Sequence, residues 1–427
     1  MRPVDGVDLV SIRIDEKLAG LTPNDPEYSC IFRVHNQLRK TNEKAYEPQL
    51  LAIGPYHRGK DDLRLMEDHK LRYLQLILQR GNESSVERYI KAMRELEGRA
   101  REFYVEPISL TIDEFVEMLL LDGCFIIELF RKFAVIDLRD EFDPIFRVGW
   151  ILCTLKRDLL LLENQLPFFI LTKLFEMTMV PNLHKDIIEP ALHFFTSLPS
   201  LEYSYESGDV SLIRNNKHLV GLIHKLIRPI GNVVLNKKDW KSIRGATELE
   251  EAGVKFKKVE GVNLFDIKFN NGVLKIPLLR IEDRSESLFR NLIAFEQYNR
   301  SYHLQYVTDY VSFMGHLINS PKDVELLRRR GIIVNQLGDD EAVSTMFNKI
   351  GDCVVVYDLC YAEILSNLDK HCRRRQNVWM AKLKHNYFNS PWALISFLAA
   401  AVLLLLALTQ TIFSILAYFC SQKVTSS

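Results

Sequence analysis

The strongest constraint on this chain lies near its C-terminal end. From Asn386 to Gln422 there is no Asp, Glu, Lys or Arg. Inside that run, PWALISFLAAAVLLLLALTQTIFSILAYFC extends from Pro391 to Cys420. At a helical rise of about 1.5 Å per residue, Trp392 to Tyr418 cover roughly 40 Å. A bilayer's hydrocarbon core is about 30 Å thick, so one tilted helix crosses it. Trp392 and Tyr418 stand at the two ends, where amphipathic rings settle at headgroup level. They are the expected anchor residues. A buried soluble helix is the competing reading, and the length and lack of charge count against it.

The flanks set an expected orientation. Lys370, Arg373, Arg374, Arg375, Lys382 and Lys384 precede the run against Asp369 alone, whereas only Lys423 follows it. The positive-inside bias then places the body in the cytoplasm and the short tail outside or in a lumen. The opening MRPVDGVDLVSIRIDEKLAG has early acids and no apolar core, so it does not read as a secretory signal. Together these features predict a tail-anchored, single-pass protein of the plasma membrane or an endomembrane.

Upstream, 47% hydrophobic and 26% charged residues allow a large globular core. Lys plus Arg number 55, as do Asp plus Glu, and this balance argues against a nucleic-acid partner. Seven cysteines with no C-x-x-C pattern read as buried free thiols of a reducing compartment. Cys353 and Cys360, seven apart, are expected on one helix face.

The patterning predicts a mainly α protein: a multi-helix body with a small antiparallel β-hairpin element, plus one C-terminal transmembrane helix. Residues 1–25 read as a flexible lead-in, 26–385 as the body, and 386–427 as the anchor and tail. Ser29 to Lys40 reads as a short helix. Further helices are expected from Leu63 to the Gly81-Asn82 stop, and from Ser85 to Phe103. Thr111 and Glu114 form a capping box for a core helix through Phe133. Its Glu117, Asp122 and Glu128 argue against a second membrane span. Pro167 kinks or splits the next helix. Around 254–281 the pattern changes to period two, and Asn270-Asn271-Gly272 is a hairpin signal, so two or three antiparallel strands follow. Pro277 then belongs near an edge. Apolar spacings of three and four between Ser285 and Ile318 mark a buried helical stripe. Ser320-Pro321 and Asp339 open later helices, Gly331 and Gly351 close them, and a last helix is expected from Val354.

Catalytic patterns are missing. There is no G-x-S-x-G, G-x-x-x-x-G-K-[ST] or G-x-G-x-x-G. His218 and His224 are six apart, whereas helical zinc ligands sit four apart. The acids of Glu248 to Glu251 read as a solvated face. Glu163, Asn164 and Gln165 lie in apolar surroundings and require partners, so a structural hydrogen-bond network is expected there. No catalytic residue, metal or cofactor is predicted. The alternative is an enzyme with an unrecognised site near His57 or Glu163, and a pocket gathering them with Asp122 would favour it.

Several blocks then carry a resemblance. They are Pro55-Tyr56-His57 with Glu67 and Lys70, FVEMLLLDGCFIIELF (Phe115 to Phe130) and DLLLLENQLPFF (Asp158 to Phe169). ATELEEAGVKF, GVLKIPLL, ESLFRNLIAFEQ, VTDYVSFM and GIIVNQLGDDEAV follow in order, and the apolar end closes the set. In this sequence of blocks the chain resembles the plant "domain of unknown function 247" family, from about Ile31 to Tyr418. Lys275 and Leu278 depart from it, standing where the family often has an acid and a second proline. The resemblance implies a plant membrane protein with a helical body and a C-terminal anchor. It implies no reaction. The link of some family members to self-incompatibility in grasses suggests recognition of a partner protein. The expected function is that of a membrane-anchored recognition or scaffold module, with the bilayer and another protein as its partners.

Overall fold

The structure is a computed structural model that describes residues 8–19, 30–179, 185–196, 198, 216–229, 244–260, 263–298, 305–356, 359–373 and 391–425. Seventeen α-helices and two small sheets occur among them, so the mainly helical expectation holds.

The body is arranged around the helix Ile112–Ala134. The Thr111 hydroxyl accepts from the Glu114 amide at 3.3 Å, and the Glu114 carboxylate accepts the Thr111 amide at 2.8 Å. This reciprocal cap satisfies two backbone donors at the helix start. From Phe115 onward the helix is apolar on most sides and buried along most of its length. The helices Leu65–Arg80, Glu87–Arg101, Phe168–Met177 and Ile188–Phe195 pack around it. Three of its buried charges are paired: Asp122 with Lys70 at 2.6 Å, Lys132 with Asp143 at 2.7 Å, and Glu128 with Arg80; the Arg131 guanidinium lies over the Phe175 ring. Paired charges mark a core helix of the body, as expected.

Pro167 divides the following segment. One helix ends at Asp158, an irregular buried stretch follows, and the helix Phe168–Met177 starts directly after Pro167. Proline lacks the amide that a helix interior needs, but a helix start does not need it.

In the second half, the helices Ser285–Tyr298 and Tyr306–Leu317 carry the buried stripe. Asp323 accepts the Ser320 amide at 3.0 Å to open Pro321–Arg329, and Gly331 ends that helix at φ +70°. Asp339 accepts the Glu341 amide at 2.9 Å and caps Asp340–Ile350.

The predicted hairpin forms between β2 (Lys268–Asn270) and β3 (Val273–Pro277), with Asn271 at φ +50° and Gly272 at φ +76°. Positive φ at both central positions matches the right-handed strand twist. The third strand corrects the expectation. β1 (Lys255–Val259) pairs parallel to β3, from Lys255 opposite Val273 to Val259 opposite Pro277. Period-two alternation reports which face is buried but carries no strand direction. Pro277 is therefore in the central strand, at its last position, beyond the end of β2, whose pairing stops at Lys268 with Lys275. A second parallel pair, β4 (Leu279–Ile281) with β5 (Ile333–Asn335), was not foreseen.

Other expectations also change. Residues 30–35 are extended, and only Asn36–Arg39 is helical. The helix Leu9–Ala19 forms inside the expected lead-in. Cys353 stands in a turn at φ +62°, exposed and not on a helix face shared with Cys360. The last body helix begins at Ala362 rather than Val354. The helix Pro391–Thr425 ends the described chain.

Candidate functional site

Glu163 occupies the irregular buried stretch before Pro167, where its carboxylate gathers groups from the N-terminal segment. It accepts the Val34 amide at 2.7 Å and pairs with the Arg39 guanidinium. Arg39 also reaches Glu47 at 2.7 Å, which in turn holds Lys60 at 2.8 Å. His57 Nε2 lies 3.3 Å from Glu163 Oε2, an ion-pair distance without hydrogen-bond alignment. Burial pushes the Glu163 carboxyl upward. His57, the Arg39 charge and the Val34 amide outweigh burial and hold it below the ordinary carboxylate value.

The neighbouring polar residues pin the same N-terminal strip. Asp158 accepts the consecutive amides of Gln49, Leu50 and Leu51 at 3.0, 2.8 and 3.0 Å, with Arg157 at 2.8 Å from its other oxygen. Burial raises the Asp158 pKa, and the Leu50 amide and Arg157 offset this only in part. Asn164 accepts the Ile53 amide at 2.7 Å and donates to the Leu51 carbonyl at 2.8 Å. Gln165 donates to the Leu159 and Leu161 carbonyls, both at 2.8 Å. Asp122 accepts the Gly54 amide at 2.8 Å, while Lys70 divides its ammonium among Asp122, Glu67 and the Ala52 carbonyl, each at 2.6 Å. Burial raises the Asp122 pKa against the pull of Lys70. Asn291, from a distant helix, completes the set by accepting the Leu162 amide at 2.9 Å. Glu163 and Asn164, with Asp158 and Asp122, thus form a polar connector that takes up backbone amides between residues 34 and 54, and Gln165 braces the stretch that carries it. Sequence reasoning missed Arg39, Asp158 and Asn291 as its members. Each has a basic neighbour, Lys40, Arg157 or Arg290, so no isolated polar position in an apolar run marked them.

His218, His224 and Glu250 also have structural partners. His218 caps the helix Leu219–Leu226, its Nδ1 accepting from the Gly221 amide at 3.2 Å. Burial and nearby Lys217 depress its pKa to about 3, so it is neutral. His224 lies 2.8 Å from Glu296, which also accepts the Val307 and Thr308 amides at 3.0 and 2.7 Å. Glu250 pairs with Arg330 at 2.6 Å, and Glu248 and Glu251 face solvent. A cleft of about 330 Å³ lies between the helices Tyr306–Leu317 and Asp340–Ile350. A smaller cavity of about 60 Å³ is bordered by Cys153, Lys156 and Arg284. Neither is lined by His57, Asp122 or Glu163.

At the other end, Ile395–Ala417 is long and apolar enough to cross a membrane, and none of it is buried against the body. Trp392 is in the first turn of this helix and 78% exposed. Tyr418 belongs to the same helix, and its side chain lies outside the described residues. Arg373 closes the helix Ala362–Arg373 and pairs with Asp369 at 2.8 Å. Arg374, Arg375, Lys382 and Lys384 lie outside the described residues.

Residues 31–406 match the family model of a plant protein of unknown function, DUF247. The chain is 32% identical to a UPF0481 protein of Arabidopsis thaliana, over 93% of this chain and 88% of the relative. It is 22% identical to a second UPF0481 protein of that plant, over 89% of each. No solved structure matches.

Proposed function

The chain belongs to the plant domain of unknown function 247 family, and we propose that it is a membrane-anchored protein whose cytoplasmic helical body recognises or scaffolds another protein. The observation that carries this reading is the helix Pro391–Thr425. Leu403, Leu404 and Leu405 are each more than 60% exposed there, and among the described residues no body side chain covers the span. Burying one such side chain in an apolar phase is worth about 1.5–3 kcal/mol, so the helix partitions from water into a bilayer. The fate of the buried acids supports a binding module over an enzyme. Glu163, Asp158 and Asp122 each accept backbone amides and hold the fold together.

Orientation follows the charge bias, with the basic flank and the body on the cytoplasmic side. Native N-x-[ST] sequons report on it. Asn82 begins one of them, in an exposed turn at φ +52°. After expression in plant cells, N-glycosidase should leave the mobility of the native chain unchanged, whereas a sequon placed in a lengthened C-terminal tail should become modified. A native chain that shifts, with a silent tail sequon, reverses the topology.

A further inference from the structure

We propose that the apolar helix pairs in the membrane with the same helix of a second copy of this chain, through Gln410. This proposal rests on the anchoring reading above. Three consecutive polar residues interrupt the apolar run. The Thr409 hydroxyl donates to the Leu405 and Leu406 carbonyls at 3.0 and 2.8 Å, and the Thr411 hydroxyl to the Ala407 carbonyl at 2.8 Å. Both are satisfied within their own helix. Gln410 is exposed, and its amide has no hydrogen bond among the described residues.

Depth makes this consequential. Gln410 lies fifteen residues from Ile395 and seven from Ala417, or about 22 Å and 10 Å along the helix. A glutamine side chain is too short to reach the interface from there. Inside hydrocarbon no water serves it, so its amide requires a protein partner.

The chemistry selects that partner. An amide offers two N–H donors and one carbonyl acceptor. Every copy of the chain enters the bilayer with the same orientation, so two copies lie parallel and their Gln410 side chains meet at equal depth. Each donates to the other's carbonyl. A different helix would need its own polar group at that level.

The surroundings permit the approach. Stepping from Gln410 by alternate threes and fours reaches Ser396, Ala400, Leu403, Ala407, Ser414 and Ala417. All but Leu403 are small, which lets two backbones come close. The spacing of 3.5 keeps them on one seam of a left-handed pair. The opposite face carries the bulky Leu398, Leu405 and Ile412.

The test uses the full-length chain with donor or acceptor fluorescent proteins at its N-terminus, co-reconstituted into phosphatidylcholine vesicles over a range of protein-to-lipid ratios. Energy transfer above the random-proximity level is expected. Gln410→Leu should weaken association about three- to tenfold. Gln410→Asn should restore most of it, and Leu405→Ala should leave it unchanged. A native chain that floats with the vesicles but transfers energy only at the random level overturns the pairing and leaves the anchor standing. So does Gln410→Leu associating as the native chain does, because the contact then lies elsewhere. A chain that does not float with vesicles overturns the anchor, and the pairing with it.

Discussion

Glu163 accepts the backbone amide of Val34 at 2.7 Å, a contact between residues 129 apart in the chain. This carboxylate is one of the long-range contacts that hold the first extended segment of the body. Glu163→Ala leaves that amide without its acceptor and the Arg39 guanidinium with Glu47 in place of two carboxylates. A loss of about 3–5 kcal/mol of stability is expected, as for other broken buried pairs. Glu163→Gln keeps an acceptor for Val34 and should cost less, about 1–3 kcal/mol. The pH dependence has a definite sign. The Glu163 pKa is depressed in the fold, so its stabilisation is complete above the unfolded carboxylate value, about 4.3, and is lost as pH falls through the lower folded value. Denaturation curves of the full chain in detergent should show this acid-side loss reduced in Glu163→Gln. Equal slopes in the two proteins would contradict it.

Gly54 provides a steric test of the same connector. It sits at φ +72°, and a Cβ there would fall 2.6 Å from the Gln165 carbonyl oxygen. Gly54→Ala combines a disfavoured backbone conformation with overpacking, and should destabilise by about 2–4 kcal/mol. A melting temperature equal to that of the parent would refute the close approach.

His218 is a buried base with a pKa depressed to about 3. Its contribution is fully present above the unfolded value, about 6.5, and is lost as pH falls from there toward the folded value. His218→Asn keeps a side-chain acceptor at the helix start and cannot titrate. Neutral-pH stability should change by no more than about 1 kcal/mol. The acid unfolding midpoint, followed by circular dichroism, should move to lower pH. A midpoint that stays in place would show that His218 is accessible when protonated.

Much of this architecture was legible because its signals are local. Thr111 with Glu114, Ser320 with Asp323, and Asn271 with Gly272 each act within a few residues, and Pro167 acts on its own amide. The failures are non-local. Residues 30–35 look helical by composition, yet the Cys30 and Ile31 amides bond to the Phe103 carbonyl and the Arg33 amide to Glu106. Partners so remote leave no trace in a short window. The direction of β1 depends on the path of the chain between strands, which alternation does not encode. The Glu163–Gln165 triplet was readable as polar groups needing partners, but the partners' identities required the fold.

Leu120 lies on the central helix and is 3% exposed. Leu120→Glu buries a carboxylate with no partner provided for it, and a loss of about 3–5 kcal/mol is expected. Near-ultraviolet circular dichroism should show lost tertiary packing. A parent-like spectrum and melting temperature would show that this face is not core.

We propose that the helix Pro391–Thr425 anchors the protein in a bilayer. Alkaline carbonate extraction of plant membranes tests it most directly, comparing the full chain with a chain lacking residues 391–427. The full chain should remain in the membrane pellet, and the shortened chain should move to the soluble fraction while keeping the circular dichroism of a folded helical body. A full chain released by carbonate would show that this helix does not span the bilayer.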